Sequence, residues 1–193
     1  MKYVYQIRLT RRLLYVLLVL LVPAIAAADQ PAPLSAPTIQ LVKPNGSSEL
    51  WPIEKIKADF AADIQSVDFS GKGKSHQSKC VPLLDFFKAA GVDLALKMDP
   101  KADPKTKNYN LRLLAVIKGR DGYTAAISLG EILPEIGNRP AWLALDEDGQ
   151  PLPEREGNLK LVVPTDQKPG RWVRDVAEID IVDPSIRHAT SRP

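Results

Sequence analysis

Cysteine is nearly absent from this 193-residue chain. Cys80 stands alone, so no intrachain disulfide can form. Histidine is as scarce, and His76 and His188 lie far apart. No H-E-x-x-H, C-x-x-C, P-loop or G-x-S-x-G pattern occurs, which removes the commonest zinc, redox, nucleotide and hydrolase devices. Aromatic residues make up only 6% of the chain while prolines number 17, a balance that suits short strands joined by ordered loops. A basic excess is also missing once the first residues are set aside. The whole chain has 26 basic and 23 acidic side chains, net +3. Residues 1–28 hold four of the bases and no acid, so the rest carries 22 against 23, net −1. That balance excludes a nucleic-acid partner, which needs a strong basic excess on one face.

What is present begins with an export signal. Lys2, Arg8, Arg11 and Arg12 precede an apolar run from Leu13 to Val22, then Pro23 and small residues to Ala28. Ala26-Ala27-Ala28 before Asp29 fits the small-x-small pattern of signal-peptide cleavage, with Ala24-Ile25-Ala26 as the nearby alternative. The apolar run is shorter than the roughly twenty residues of a spanning helix, so cleavage is favoured over a retained anchor. Thr10-Arg11-Arg12-Leu13-Leu14 also loosely resembles a twin-arginine signal, but the strongly apolar run after it is that of an ordinary secretory signal. We therefore expect a signal peptide at 1–28, a Pro/Ala tether at 29–37, one domain at 38–183 and a loose tail at 184–193. The expected location is the periplasm or the medium.

Within the domain, apolar and polar residues alternate through Thr38–Lys43, which predicts a strand ended by the turn Pro44-Asn45-Gly46. Ile53–Ala62 has apolar residues at 53, 56 and 60 and predicts a short helix. Ile64–Phe69 predicts a strand, followed by a flexible basic loop at 71–74. Pro82–Ala90 is the clearest helix, with Pro82 suited to its first turn and Gly91 to the position past its end. Residues 97–110 are polar and broken by proline, which marks a surface insertion. Leu111–Lys118 and Tyr123–Ile127 predict strands forming a hairpin around Gly119-Arg120-Asp121-Gly122. Ser128 caps a short helix ending near Ile136. Strands follow at Trp142–Leu145 and Leu159–Val163, separated by the turn Asp146-Glu147-Asp148-Gly149. Arg171–Val182 closes the domain with apolar residues at 173, 176, 179 and 181. Six or seven strands and two or three short helices make a mixed α+β domain, richer in strand.

Four places carry side chains suited to chemistry. Asp146 and Asp148 suggest calcium, but the remaining ligands of a calcium loop are missing, so a solvated acidic turn is expected. The Gly119–Tyr123 turn offers Arg120 as an oxyanion clamp steadied by Asp121, or else only a tight hairpin with a surface ion pair. Pro164–Arg174 follows a strand as a loop bearing Lys168, Arg171 and Arg174 around Gly170, suited to an anion. Cys80 precedes a helix start, where a thiolate gains stability and becomes a soft-metal ligand. The competing reading makes it a small buried hydrophobe.

In order along the chain, HQSKCVPLLDFFKAAGV at 76–92, GRDGYTAAISLGEI at 119–132, LALDEDGQPLPEREGNLKLVVP at 143–164 and GRWVRDVAEIDI at 170–181 resemble the molybdopterin-binding oxidoreductase domain. This is the catalytic domain of sulfite oxidases and their bacterial relatives. The third stretch is similar to the family pattern A-x-x-x-x-G-x-P-L-P-x-x-x-G-x-x-R-L-V-V-P. The resemblance implies a sulfite-oxidase-like α+β fold, a pocket for the anionic molybdopterin cofactor, and a periplasmic or membrane redox partner if the domain is an active oxidoreductase. It implies that Arg171 and Arg174 hold the cofactor with Lys168 and Gly170 in the same loop, and that His76, Arg120 and Tyr123 line or support the region. On that basis Arg171→Ala is expected to weaken binding of an anionic ligand. The family's molybdenum-binding cysteine has no counterpart in Ile64–Ser70, and Cys80 takes the place of the glycine in the family's G-V-P-L segment. Cys80 is then a metal ligand only if folding brings it to the same pocket. The alternative is a catalytically inactive binding or interaction module on the same fold, holding a small anionic ligand or a partner protein.

Overall fold

The computed structural model describes residues 36–71, 73–96, 101, 103 and 107–185. The expected signal peptide, most of the expected tether, most of the 97–110 insertion, and the tail from 186 with His188 lie outside them. The described part is the strand-rich α+β domain that the sequence predicts, with a fold consistent with the sulfite-oxidase-like type.

Its elements in order are β1 (Thr38–Val42), β2 (Ser48–Pro52), α1 (Ile53–Asp59), β3 (Gln65–Gly71), β4 (Lys74–Pro82), α2 (Leu83–Ala89), β5 (Leu114–Gly119), β6 (Thr124–Ser128) and α3 (Leu129–Ile132). Then come β7 (Trp142–Ala144), β8 (Asp146–Glu147), β9 (Gln150–Pro151), β10 (Lys160–Val162) and β11 (Val176–Val182). Single 3₁₀ turns occupy Tyr109–Arg112 and Glu154–Glu156.

Three sheets result. The first has the order β2-β1-β11-β5-β6, the second β10-β7-β4-β3, and β8 and β9 make a small hairpin. β1 and β11, the first and last strands described, run parallel side by side, and every other pair is antiparallel. Side-chain alternation builds the core. In β1 Ile39 and Leu41 turn inward, in β5 Ala115 and Ile117, and in β11 Ile179 and Ile181. They share one buried cluster with Ile53 and Ile56 of α1 and with Leu83, Phe86 and Phe87 of α2. Each fully buried side chain of this size contributes about 1.5–3 kcal/mol.

The second sheet decides where a site can lie. Register aligns Val81 of β4, Leu143 of β7 and Leu161 of β10, and all three enter the main core. Their neighbours Cys80, Ala144 and Lys160 lie one residue away and so on the opposite face. There Phe69, Cys80, Ala144 and Val162 form a second, smaller cluster roofed by Trp142 and Trp172.

Several expectations are corrected. The described strands number eleven rather than six or seven. β2 and β4 went unpredicted because Ser48–Pro52 is mostly exposed and Lys74–Lys79 is mostly polar, so neither shows an apolar stripe. Gly71 and Lys74, expected in a loop, are paired at the end of the β3–β4 hairpin, with Gly73 at φ 77. The buried strand expected from Leu111 begins at Leu114, because Tyr109–Arg112 turns to bury Asn110. Arg171–Asp175 is loop, and the closing strand starts at Val176. The helix after Pro82 and the glycine at its end, φ 73, are as expected.

Candidate functional site

The second face of the β10-β7-β4-β3 sheet carries a cavity of about 260 Å³. Period-two geometry puts His76 of β4 on the same face as Phe69, its cross-strand partner in β3. The two rings stand 5.9 Å apart. Trp172, from the loop before β11, meets Phe69 edge-on at 5.0 Å and 89°, and its indole N–H donates to the Val163 carbonyl at 3.2 Å. Gly71 makes room for that ring, since a Cβ there would stand 3.0 Å from it.

Lys160 reaches into this aromatic corner and is almost fully buried. Its ammonium lies 5.6 Å from the centroids of both Phe69 and Trp172. Two carboxylates hold it, Glu156 at 3.0 Å and Glu147 at 3.2 Å. A buried cation needs such compensation, because its desolvation costs several kcal/mol otherwise (about that order per ion). The exposed Arg155 stands beside Glu156 at 3.5 Å.

The acidic turn is not merely solvated, and this corrects the sequence reading. β8 and β9 are joined by Asp148-Gly149 with φ 53 and 75, the two left-handed positions of a type I′ hairpin. The turn docks on β4. Asp146 accepts from the Lys79 N–H at 2.6 Å and Asp148 from the Gln77 N–H at 2.9 Å. These carboxylates satisfy β4 backbone donors beyond the last β4–β7 pair, Cys80 with Ala144. His76 Nδ1 sits 2.9 Å from Asp148 Oδ2 and 3.6 Å from Glu147 Oε1. The Gln77 N–H, followed by His76, holds the Asp148 carboxyl below the usual carboxylate range.

The residues expected from sequence separate into groups. His76 and Arg174 line the cavity. Arg174 is half-exposed and reaches Asp121 at 3.2 Å. Tyr123 is near through one contact, donating its hydroxyl to the Gly170 carbonyl at 2.5 Å, and so ties the hairpin to the 164–174 loop. Lys168 is exposed on that loop. Arg120 is elsewhere, bonded to the Thr38 carbonyl at 2.9 Å and close to Asp175 at 3.5 Å. Asp121 steadies Arg174 and the Tyr123 N–H rather than Arg120.

Arg171 departs furthest from expectation. Its Nε and Nη2 meet Asp166 at 2.9 and 2.6 Å, and its Nη1 and Nη2 meet Glu131 at 3.0 Å each. These carboxylates, Asp166 first, raise its guanidinium above the ordinary arginine range. The Glu131 fork ties the loop to α3 and the Asp166 fork closes the loop on itself, so four of the five guanidinium N–H groups are already engaged by carboxylates rather than offered to a phosphate.

Cys80 follows the hydrophobe reading. It is fully buried, its Sγ lies 3.5 Å from the Ser78 carbonyl, and burial, with the Asp146 charge behind it, pushes the thiol up to about 12. α2 begins only at Leu83, and the thiol is raised rather than lowered.

Sequence reasoning missed Lys160, Glu147, Glu156, Phe69 and Trp172 as site residues. One signal was legible: Lys160 takes the place of the arginine in the family's G-x-x-R-L-V-V-P. The others come together only through strand register.

Tested against the molybdenum cofactor, these residues do not fit. The chain's one thiol does not line the cavity and stays protonated. The buried cation on the floor is already neutralised by two carboxylates, which would repel a phosphate.

No family model matches the chain, and no curated protein does. Among solved structures it is similar to the sulfane dehydrogenase SoxCD from Paracoccus pantotrophus, with a TM-score of 0.50 and 15% sequence identity. The similarity covers 76% of this chain but only 38% of that one. The likeness supports a molybdopterin-domain-like fold.

Proposed function

We propose that the chain is an exported ligand-binding module that uses the molybdopterin-oxidoreductase-like fold without its redox metal. The observation that carries this reading is Cys80, buried and protonated under Phe69 and Val162 while the cavity beside it is lined by other groups. The cavity has what a binding site needs. It combines the Phe69 and Trp172 rings with His76 and the buried Lys160, and its rim bears Arg155 and Arg174. A small anion reaching that rim meets two guanidinium groups before the acidic floor. The basic, then apolar, then small-residue start of the chain supports export to the periplasm or medium.

A second reading seats a molybdopterin-type cofactor in the same cavity and requires a periplasmic or membrane redox partner. The shared fold favours it, and the closed thiol and neutralised lysine oppose it. Native mass spectrometry of the exported protein, made in a host that synthesises the cofactor, separates the two. We expect the mass of a polypeptide beginning near Asp29 with no pterin-sized addition. A stoichiometric pterin-sized addition would refute the module, and retention of residues 1–28 would refute cleavage.

A further inference from the structure

We propose that His76, Glu147 and Asp148 form a binding site for one divalent transition-metal ion at the wall of the cavity. The inference rests on the preceding reading, in which no pterin fills that space.

One donor atom from each of His76, Glu147 and Asp148 lies within 4.8 Å of the other two. The two separations from Nδ1 are 2.9 and 3.6 Å. Metal–ligand bonds of about 2.1 Å require donors about 3.0–3.4 Å apart for octahedral or tetrahedral angles. The two separations from His76 are therefore close to ligating distance, and the third pair lies within 4.8 Å. It comes from a strand and a tight hairpin docked on it, so it is fixed by backbone.

Each carboxylate is also oriented through its other oxygen. Glu147 gives Oε2 to Lys160 at 3.2 Å, which leaves Oε1 toward His76. Asp148 gives Oδ1 to the Gln77 N–H at 2.9 Å, which leaves Oδ2 toward His76. Metal sites use such outer contacts to aim their ligands. Charge points the same way. Asp121, Glu147, Asp148 and Glu156 stand against Lys160, Arg155 and Arg174 in and around the cavity, an acidic excess of one. One imidazole with two carboxylates suits zinc, iron, manganese or cobalt rather than calcium, which takes oxygen donors. His76 and Glu147 line the cavity, so the positions left open on the ion face it.

The test titrates the exported, chelator-treated protein with Zn²⁺ by calorimetry and with Co²⁺ by visible absorption. One equivalent of Zn²⁺ and a ligand-field spectrum for Co²⁺ are expected. Asp148→Asn, which keeps an oxygen for the Gln77 N–H, and Glu147→Gln, which keeps one for Lys160, should each weaken binding more than about tenfold. His76→Ala should do the same, while His188→Ala should leave affinity unchanged. No binding by the cofactor-free protein, or one-equivalent binding indifferent to His76→Ala and Asp148→Asn in folded variants, overturns the metal site. Neither result touches the ligand-binding reading, which fails only if the exported protein holds the molybdenum cofactor.

Discussion

Replacing Arg171 with alanine separates a structural role from a ligand-binding one. The side chain makes four charge-assisted contacts at 2.6–3.0 Å and is 30% exposed, while Glu131 and Asp166 are 22% and 16% exposed. Fully exposed ion pairs contribute about 0–1 kcal/mol, and breaking a fully buried pair costs about 3–5 kcal/mol. This one lies between, so about 2 kcal/mol of stability should go. For a domain of this size that is a fall in Tm of about 4–8 °C by circular dichroism. The sign with pH follows from the direction of the shift. A guanidinium raised above its unfolded value contributes stability that is fully present below the ordinary arginine range and is lost only as pH rises through the raised value, so the deficit of the variant should persist through neutral and alkaline pH. In the folded variant the affinity for inorganic phosphate should be unchanged. An unaltered Tm with phosphate affinity lost would refute the structural assignment and restore Arg171 to the site.

Three further outcomes follow from the same geometry. Cys80 should react with a thiol reagent only as the protein unfolds, since burial holds its thiol near 12, and prompt stoichiometric labelling of the native protein would contradict this. Lys160→Met should cost about 3–5 kcal/mol by denaturant unfolding, because Glu147 and Glu156 lose their shared buried cation, and a loss under about 1 kcal/mol would show the pair to be solvated. Asp183 has its carboxyl held below the ordinary range by Ser185 first and Arg112 second, so its contribution is present at neutral pH and disappears as pH falls through that lowered value. Asp183→Asn should therefore be less stable than the parent at pH 7 and equal to it in strong acid. A deficit that is constant with pH would rule out the charge as its source.

The fold was legible where one face of an element is buried. β1, β5, β6 and α2 show the apolar period their packing demands, and Gly91 and Gly122 mark chain reversals by positive φ. β4 was hidden because its first residues face the cavity and solvent with polar side chains, although it carries both His76 and Cys80. The site was legible only in part for a related reason. Charge on the 164–174 loop drew attention to Arg171, yet its partner Glu131 sits 40 residues away on α3, so only the Asp166 half of the pairing lies within the loop. Glu147 and Asp148 looked like turn residues because their partners, Lys160 and His76, are brought to them by register across the second sheet.

The central claim is that this fold here binds without molybdenum. The most direct measurement is molybdenum content, with pterin fluorescence after oxidation, in protein purified from a molybdenum-replete host that makes the cofactor. The account predicts neither metal nor pterin in stoichiometric amount. One molybdenum and one pterin per chain would contradict it.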